Sequence, residues 1–310
     1  MSQVQVDPAS PLAEYVQWYT SSLMAANKSP ATRQVYVGSV STFDRFLADN
    51  GMPRELKKIK RTHVEAFMQD QLARLKPASA ATRYAGIRSF FTWAAREGEI
   101  TESPMSRMGP PKVPETQVKT LSPDEVERLI RACDGTSLRQ RRDAALIRFM
   151  VDTGVRRTEA ANITLDDLDQ QERICTIRQG KGGKDRVVPY SYATQQAIFR
   201  YLQKRQSHTR ASSPALWLGQ VGPLRGDAVA QIVATRSKKA GVLDHDGTPL
   251  HAHQLRHTFA DRSLRGGMSE GALMQLGGWA SADVMRKYAR DQARTRAIEE
   301  ARRIFGEGAS

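Results

Sequence analysis

Apolar positions in the first hundred residues recur at helical spacing and show no sustained alternation, so this stretch predicts helices only. Leu12, Tyr15, Val16, Tyr19 and Leu23 form one stripe. Ser29-Pro30 then supplies an N-cap followed by proline at the first helical position, where the N–H has no intrahelical partner to lose. Tyr36, Val40, Phe43, Phe46 and Leu47 continue one face until Asn50-Gly51 breaks it. A third helix carries Val64, Phe67, Met68 and Leu72 and ends near Lys76-Pro77. A fourth, from about Ala78 to Glu97, carries Tyr84, Ile87, Phe91 and Trp93. Four short helices with brief connections predict a small bundle over residues 1–100.

Residues 101–117 (TESPMSRMGPPKVPETQ) hold four prolines and no periodic apolar face, which predicts an extended, semi-rigid linker. A second domain over 118–310 opens with Ser122-Pro123-Asp124-Glu125, a capping box, followed by Val126, Leu129, Ile130 and Cys133 at i, i+3, i+4 and i+7. One interruption has strand character. The alternating RICTIRQ leads into Gly180-Lys181-Gly182-Gly183-Lys184 and then Arg186-Val187-Val188-Pro189, which predicts a β-hairpin with a glycine-rich tip. Helices resume through Tyr201, from about Asp227 to Ala240, and from His253 onward. The fold class is therefore mainly α with a small antiparallel β-hairpin or sheet.

Charge narrows the partner. The chain of 310 residues holds 47 Lys plus Arg against 33 Asp plus Glu, a net charge of +14. Such a surplus favours a polyanion, because neutralising phosphates releases condensed counterions. No apolar run reaches the roughly 18 residues that span a bilayer. The opening Met-Ser-Gln-Val-Gln-Val-Asp lacks the basic flank and apolar stretch of a secretory signal, so a cytoplasmic protein without a membrane partner is expected. Cys133 and Cys175, placed apart in a predicted helix and strand, read as two buried thiols.

Four local motifs carry candidate chemistry. In Thr153-Gly154-Val155-Arg156-Arg157-Thr158-Glu159 one helix ends at the glycine and another starts, and a guanidinium at that entrance can fork onto phosphate oxygens. The hairpin tip is not a phosphate-binding P-loop, since Lys184 is followed by Asp185 and the GxxxxGK[ST] spacing is absent. In His251-Ala252-His253-Gln254-Leu255-Arg256-His257, His253 and Arg256 share a helix face. A metal site built on His251, His253 and His257 is disfavoured, because no acidic or Cys ligand completes the set and Arg256 would stand beside the cation. Finally, Leu276-Gly277-Gly278-Trp279 is followed nine residues later by Tyr288.

Thr-Gly-x-Arg, a Lys-tipped hairpin, His-x-x-Arg-His, then Gly-Gly-Trp with Tyr288 downstream: in order and separation this set resembles the tyrosine recombinase (phage integrase) family. The helical first domain and proline-rich linker are similar to that family's core-binding module. The resemblance implies Arg156 and Arg256 as phosphate-clamping arginines, Lys181 as the hairpin lysine (Lys184 being the alternative), and His253 as the first motif histidine. It implies Glu159 as a supporting, orienting acid and Tyr288 as the nucleophile. Trp279 stands where many members have histidine and some tryptophan; an indole N–H donates but does not accept.

The implied activity is site-specific cleavage and rejoining of DNA through a 3′-phosphotyrosine, without metal, ATP or other cofactor. The implied partners are double-stranded recombination sites and three further copies of the chain, assembled as a homotetramer through the C-terminal segment bearing Ile298, Ala301, Ile304 and Phe305. Arg83 and Arg88, on the fourth helix, are candidate major-groove readers. Because the chain starts almost directly with the core-binding helices, no extra arm-binding domain is expected. The competing readings are a type IB topoisomerase-like enzyme and a DNA-binding protein that has lost catalysis.

Overall fold

The computed structural model describes residues 6–114, 118–178 and 185–279 together with Ala301 and Phe305. It divides into two compact units, residues 1–116 and 117–310. Among the described residues, no helix is long and apolar enough to cross a membrane.

The first unit consists of α1 (Ala13–Ala25), α2 (Pro30–Asp49), α3 (Arg61–Arg74) and α4 (Pro77–Arg96). Ser29 caps α2, its Oγ accepting the Thr32 N–H at 3.1 Å, and Pro30 and Pro77 occupy first-turn positions. The expected stripes meet in an aromatic core where Phe43 lies edge-on to Phe67 at 5.2 Å and to Phe91 at 6.0 Å. Leu72 departs from its expected place: its position on α3 turns outward and 44% of it is exposed. Among the described residues of this unit, one acid is buried. Asp44 accepts a two-pronged bond from Arg54 (Nε and Nη2, both 2.9 Å) and another from Ser10 Oγ, which satisfies the lone pairs that burial strips of water. Part of the proline-rich segment also belongs to this core. Met105 is fully buried in it, and the Met108 carbonyl accepts from Tyr84 Oη and from Arg88 Nη1.

In the second unit, α5 (Pro123–Arg131) starts at the expected capping box: Ser122 Oγ accepts from the Glu125 N–H and Glu125 Oε2 from the Ser122 N–H. The buried helix α6 (Leu138–Thr153) is stopped by Gly154, whose φ of +62° lies in the left-handed region. Phe259 closes on that glycine so tightly that a Cβ would meet its Cδ1 at 2.2 Å. α7 (Arg157–Asn162) follows at once. A three-stranded antiparallel sheet comes next, in the order β1 (Leu168–Asp169), β2 (Ile174–Ile177), β3 (Arg186–Pro189). β2 and β3 form the expected hairpin, with Ile174 opposite Pro189 and Ile177 opposite Arg186; β1 is an addition, too short to show alternation.

α8 (Tyr192–Arg205), α9 (Gly226–Ala240), α10 (Ala252–Arg265) and α11 (Glu270–Gly277) complete the described elements. The helix expected to run on from His253 is broken at Gly266-Gly267, and the new start is capped by Ser269, which accepts from the Ala272 N–H. Asp143, 1% exposed, ties α6 to α9: Oδ1 accepts from Arg142 Nε and Nη2, and Oδ2 from Arg236 Nε and Nη2. This ties α9 to the N-terminal half of α6.

Candidate active site

The site forms where three chain breaks meet in the second unit: the α6–α7 turn, the first turns of α10, and the C-terminal end of α11. Gly154 turns the chain so that Arg156 stands at the N-cap of α7 in extended conformation. Its backbone N–H donates to Glu159 Oε2 at 2.8 Å, in the capping role that a Glu at the third helical position supplies. Its Nη1 donates to Glu159 Oε1 at 2.6 Å and its Nη2 to the Gly278 carbonyl at 2.9 Å.

Arg256 comes from α10 and is 2% exposed. Nη1 donates to the Gly154 carbonyl at 2.7 Å and Nη2 to the Gly277 carbonyl at 2.6 Å. Its guanidinium carbon lies 4.0 Å from the centre of the Trp279 ring, a cation–π arrangement. The two candidate phosphate clamps thus donate to adjacent carbonyls at one helix end, although they are a hundred residues apart in sequence. The negative end of the α11 dipole favours that concentration of cationic side chains.

His253 lies one turn ahead of Arg256, its ring edge-on to that of His257 at 4.5 Å. His253 is exposed at the surface, yet the protein packed around its ring desolvates it in part. This desolvation lowers its pKa below the usual imidazole value, and the positive charges of Arg256 and then Arg156 lower it further. The ring is therefore neutral at neutral pH and able to accept a proton.

The structure adds a residue that the sequence analysis missed. Arg186, on β3, sends Nη2 to Glu159 Oε2 at 2.6 Å, Nη1 to Oε1 at 3.2 Å and Nε to the Leu276 carbonyl at 2.7 Å. Glu159 is consequently shared by two arginines, and its side chain is 7% exposed. Burial by itself would raise its pKa; the bonds from Arg186 and the Arg156 backbone outweigh it and hold the carboxyl at about 2. The signal was present in the strand pattern, since Arg186 shares the inward face of β3 with fully buried Val188, and an arginine on that face requires a partner.

Four of the expected residues, Arg156, Arg256, His253 and Trp279, are together with Glu159 in this region. Lys181, its alternative Lys184, and Tyr288 lie outside the described residues, as do Ile298 and Ile304. Arg83 and Arg88 belong to the first unit and do not share a face: five positions apart, they differ by about 140° around α4. Arg83 Nη1 donates to the Gly38 carbonyl on α2, whereas Arg88 Nη1 donates to Tyr84 Oη and the Met108 carbonyl. Burial pushes both Cys133 and Cys175 up to about 12, which leaves them inert as nucleophiles. Among the described residues, no group of three His, Cys, Asp or Glu is arranged to hold a metal.

Comparison with known proteins gives a consistent result across both units. The model of the phage integrase family matches residues 119–295, and that of the phage integrase N-terminal SAM-like domain matches residues 16–98. Tyrosine recombinase XerD of Corynebacterium glutamicum is 30% identical over 283 residues, covering 87% of this chain and 91% of that protein. Tyrosine recombinase XerD of Bifidobacterium longum is 32% identical over 274 residues, covering 83% and 86%. Among solved structures, XerH site-specific recombinase bound to a palindromic difH substrate superposes with a TM-score of 0.75 at 19% identity, covering 97% of this chain and 91% of that one. XerA recombinase superposes with a TM-score of 0.53 at 26% identity over 93% and 98%.

Proposed function

From the premise that this chain belongs to the phage integrase family of tyrosine recombinases, we propose that it cleaves and rejoins double-stranded DNA at specific sites through a 3′-phosphotyrosine. The observation that carries the reading is the convergence of Arg156 and Arg256 at the C-terminal end of α11, with His253 close enough to feel both charges.

Tyr288 is the nucleophile. A phenol with a pKa near 10 attacks slowly at neutral pH unless its proton is taken and its anion is favoured. His253 accepts that proton, and the surrounding positive charge favours the phenolate. The phenolate oxygen bonds to phosphorus, the bond from phosphorus to the 5′-oxygen breaks, and Lys181 gives a proton to the departing oxygen. Arg156 and Arg256 stabilise the charge that builds on the non-bridging oxygens, where removal of one such contact costs about 2.7–4 kcal/mol. The ester keeps the bond energy, so a 5′-hydroxyl from a second strand reverses the step without ATP. A homotetramer on paired sites, joined through the segment that bears Ala301 and Phe305, supplies that second strand.

Nicked suicide duplexes, drawn from sequences selected by binding from a randomised library, test the reading. Cleavage in the presence of EDTA should leave wild type, but not Tyr288→Phe, covalently attached to DNA. Absence of an adduct with every selected duplex would leave a DNA-binding module, and supercoil relaxation without strand exchange would favour a topoisomerase.

A further inference from the structure

Arg186 touches three elements that each deliver a different part of the site. It opens β3, five residues after Lys181 in the sequence. Its fork grips Glu159, which in turn caps α7 and pairs with Arg156. Its Nε holds the last-turn carbonyl of Leu276, and its guanidinium lies against Gly278, where a Cβ would come within 3.1 Å of Nη1. Gly278 has a φ of +63°, so both its backbone conformation and its lack of a side chain permit this approach.

We propose that Arg186 is a positioning residue for DNA strand cleavage, acting through Glu159 and the α11 end to keep Arg156 aimed at the phosphate and to counter the offset of its charge by Glu159. The proposal rests on Arg156 being a phosphate clamp. Two physical arguments support it. The first is charge: with Glu159 ionised, Arg156 alone would form a neutral pair with it, and its pull on a phosphate would be largely offset. A second guanidinium on the same carboxylate restores one net positive charge to the group. The second is geometry. Three successive carbonyls, those of Leu276, Gly277 and Gly278, each accept from a different arginine: Arg186, Arg256 and Arg156. Displacing the first member therefore disturbs the anchorage of both clamps. A buried ion pair gives little net stability compared with apolar packing of the same size, so stability is a weak reason for placing an arginine here.

The test uses the full chain and a nicked suicide duplex selected as above, with wild type, R186K, R186M, E159Q and the double variant R186M/E159Q. Under saturating protein, R186M should form the covalent adduct about 100-fold more slowly than wild type, the scale of one lost transition-state contact. Its DNA affinity should stay within about threefold, because the side chain is 8% exposed and its three nitrogens are committed to Glu159 and the Leu276 carbonyl. R186K, which keeps the charge but not the fork, should recover part of the rate. R186M/E159Q should be no slower than R186M, because removing the carboxylate removes what Arg186 offsets and the two losses are not additive. A wild-type rate in R186M, a rate loss that follows DNA affinity or melting temperature in both R186M and R186K, or multiplicative losses in the double variant would each overturn the proposal. Tyr288→Phe separates this from failure of the underlying reading: an adduct that persists without the phenol would overturn the function itself, whatever Arg186 does.

Discussion

The guanidinium of Arg256 is sandwiched by function as well as by space: Trp279 covers it at 4.0 Å, while Gly154 and Gly277 take its two Nη groups. It is the ring face of Trp279, not its N–H edge, that meets the arginine. Sequence comparison alone suggests that the indole serves as a hydrogen-bond donor, whereas this contact gives it a second role, fixing the clamp. A cation–π contact of this kind is worth about 0.5–2 kcal/mol. Trp279→Ala, which loses both donor and face, should slow adduct formation by about 100-fold. Trp279→Phe keeps a face and loses only the N–H, so it should lose only about tenfold; the remaining tenfold, within the range of one such contact, belongs to the face. Single-turnover cleavage distinguishes them, and equal losses would assign the whole effect to the N–H.

The proposed reaction needs His253 as a neutral base, which sets an acid limit on activity. Its pKa is lowered by desolvation and by Arg256 and Arg156, so the folded protein resists protonation that the unfolded chain accepts. Cleavage should hold through neutral pH and fall on the acid side, with a midpoint below the ordinary imidazole value of about 6.5. Stability follows the same sign: the unfolded chain binds the extra proton, so the group favours unfolding increasingly as pH drops from about 6.5 towards the folded-state pKa. His253→Gln should remove the acid limb from the residual rate profile. It should also narrow the gap in melting temperature between pH 7.5 and 5.5, and an unchanged limb would reassign the base.

Glu159 titrates in the opposite sense. Its carboxyl is held at about 2 despite burial, because Arg186 first and Arg156 next favour the anion. The stabilisation is present above the unfolded value of about 4.3 and is lost as pH falls towards 2. Glu159→Ala leaves Arg186 buried without its partner, a change that costs about 3–5 kcal/mol. Urea unfolding at pH 7 should show that loss, and the difference from wild type should shrink below about pH 4, where the unfolded carboxyl takes up a proton that the native one, held at about 2, resists. A difference that is constant with pH would mean that the carboxylate charge does not stabilise the fold.

Gly154 is constrained twice. An alanine there would hold a left-handed conformation, at about 1 kcal/mol, and would also drive its methyl into Phe259, where overpacking costs about 1–3 kcal/mol. Because the Gly154 carbonyl accepts from Arg256, relief of the clash moves the proposed phosphate clamp. Gly154→Ala should therefore lower both the melting temperature and the cleavage rate. Pairing it with Phe259→Leu should recover stability more fully than rate, since the backbone strain at 154 remains; full recovery of both would show that only the clash mattered.

Local signals proved the readable ones. Ser122 with Glu125, Pro30 behind Ser29, and Gly154 after Thr153 each write a helix boundary in three or four residues, and the boundaries fall there. The positions of Arg156 and Arg256 were legible as motifs, because each sits on a short pattern tied to a helix start. Arg186 was not, because its partners are 27 and 90 residues away and only folding brings them to β3. Leu72 and the Gly266-Gly267 break show the other limit. A periodic apolar residue is buried only if a neighbour covers it, and a pair of glycines ends a helix only when tertiary packing favours the turn.

Arg83 and Arg88 illustrate the same limit on the DNA-reading side, and they yield the last prediction. Sequence puts both on one basic helix, yet their bonds point to opposite neighbours: Gly38 on α2 for Arg83, Tyr84 and Met108 for Arg88. The two cannot read adjacent base pairs from one face of α4. We expect Arg83 to be the DNA contact and Arg88 to be a strut that ties residue 108 to the helix. Arg83→Gln should weaken duplex binding and reduce the log–log salt slope by about 1 if it meets a phosphate, or relax specificity at a cost of about 1–3 kcal/mol if it meets a base. Arg88→Gln should leave both unchanged and instead lower stability by about 1 kcal/mol, the net worth of a hydrogen bond. Affinity titrations at several salt concentrations, set beside thermal melts, separate the two; a salt slope that falls for Arg88→Gln and not for Arg83→Gln would reverse the assignment.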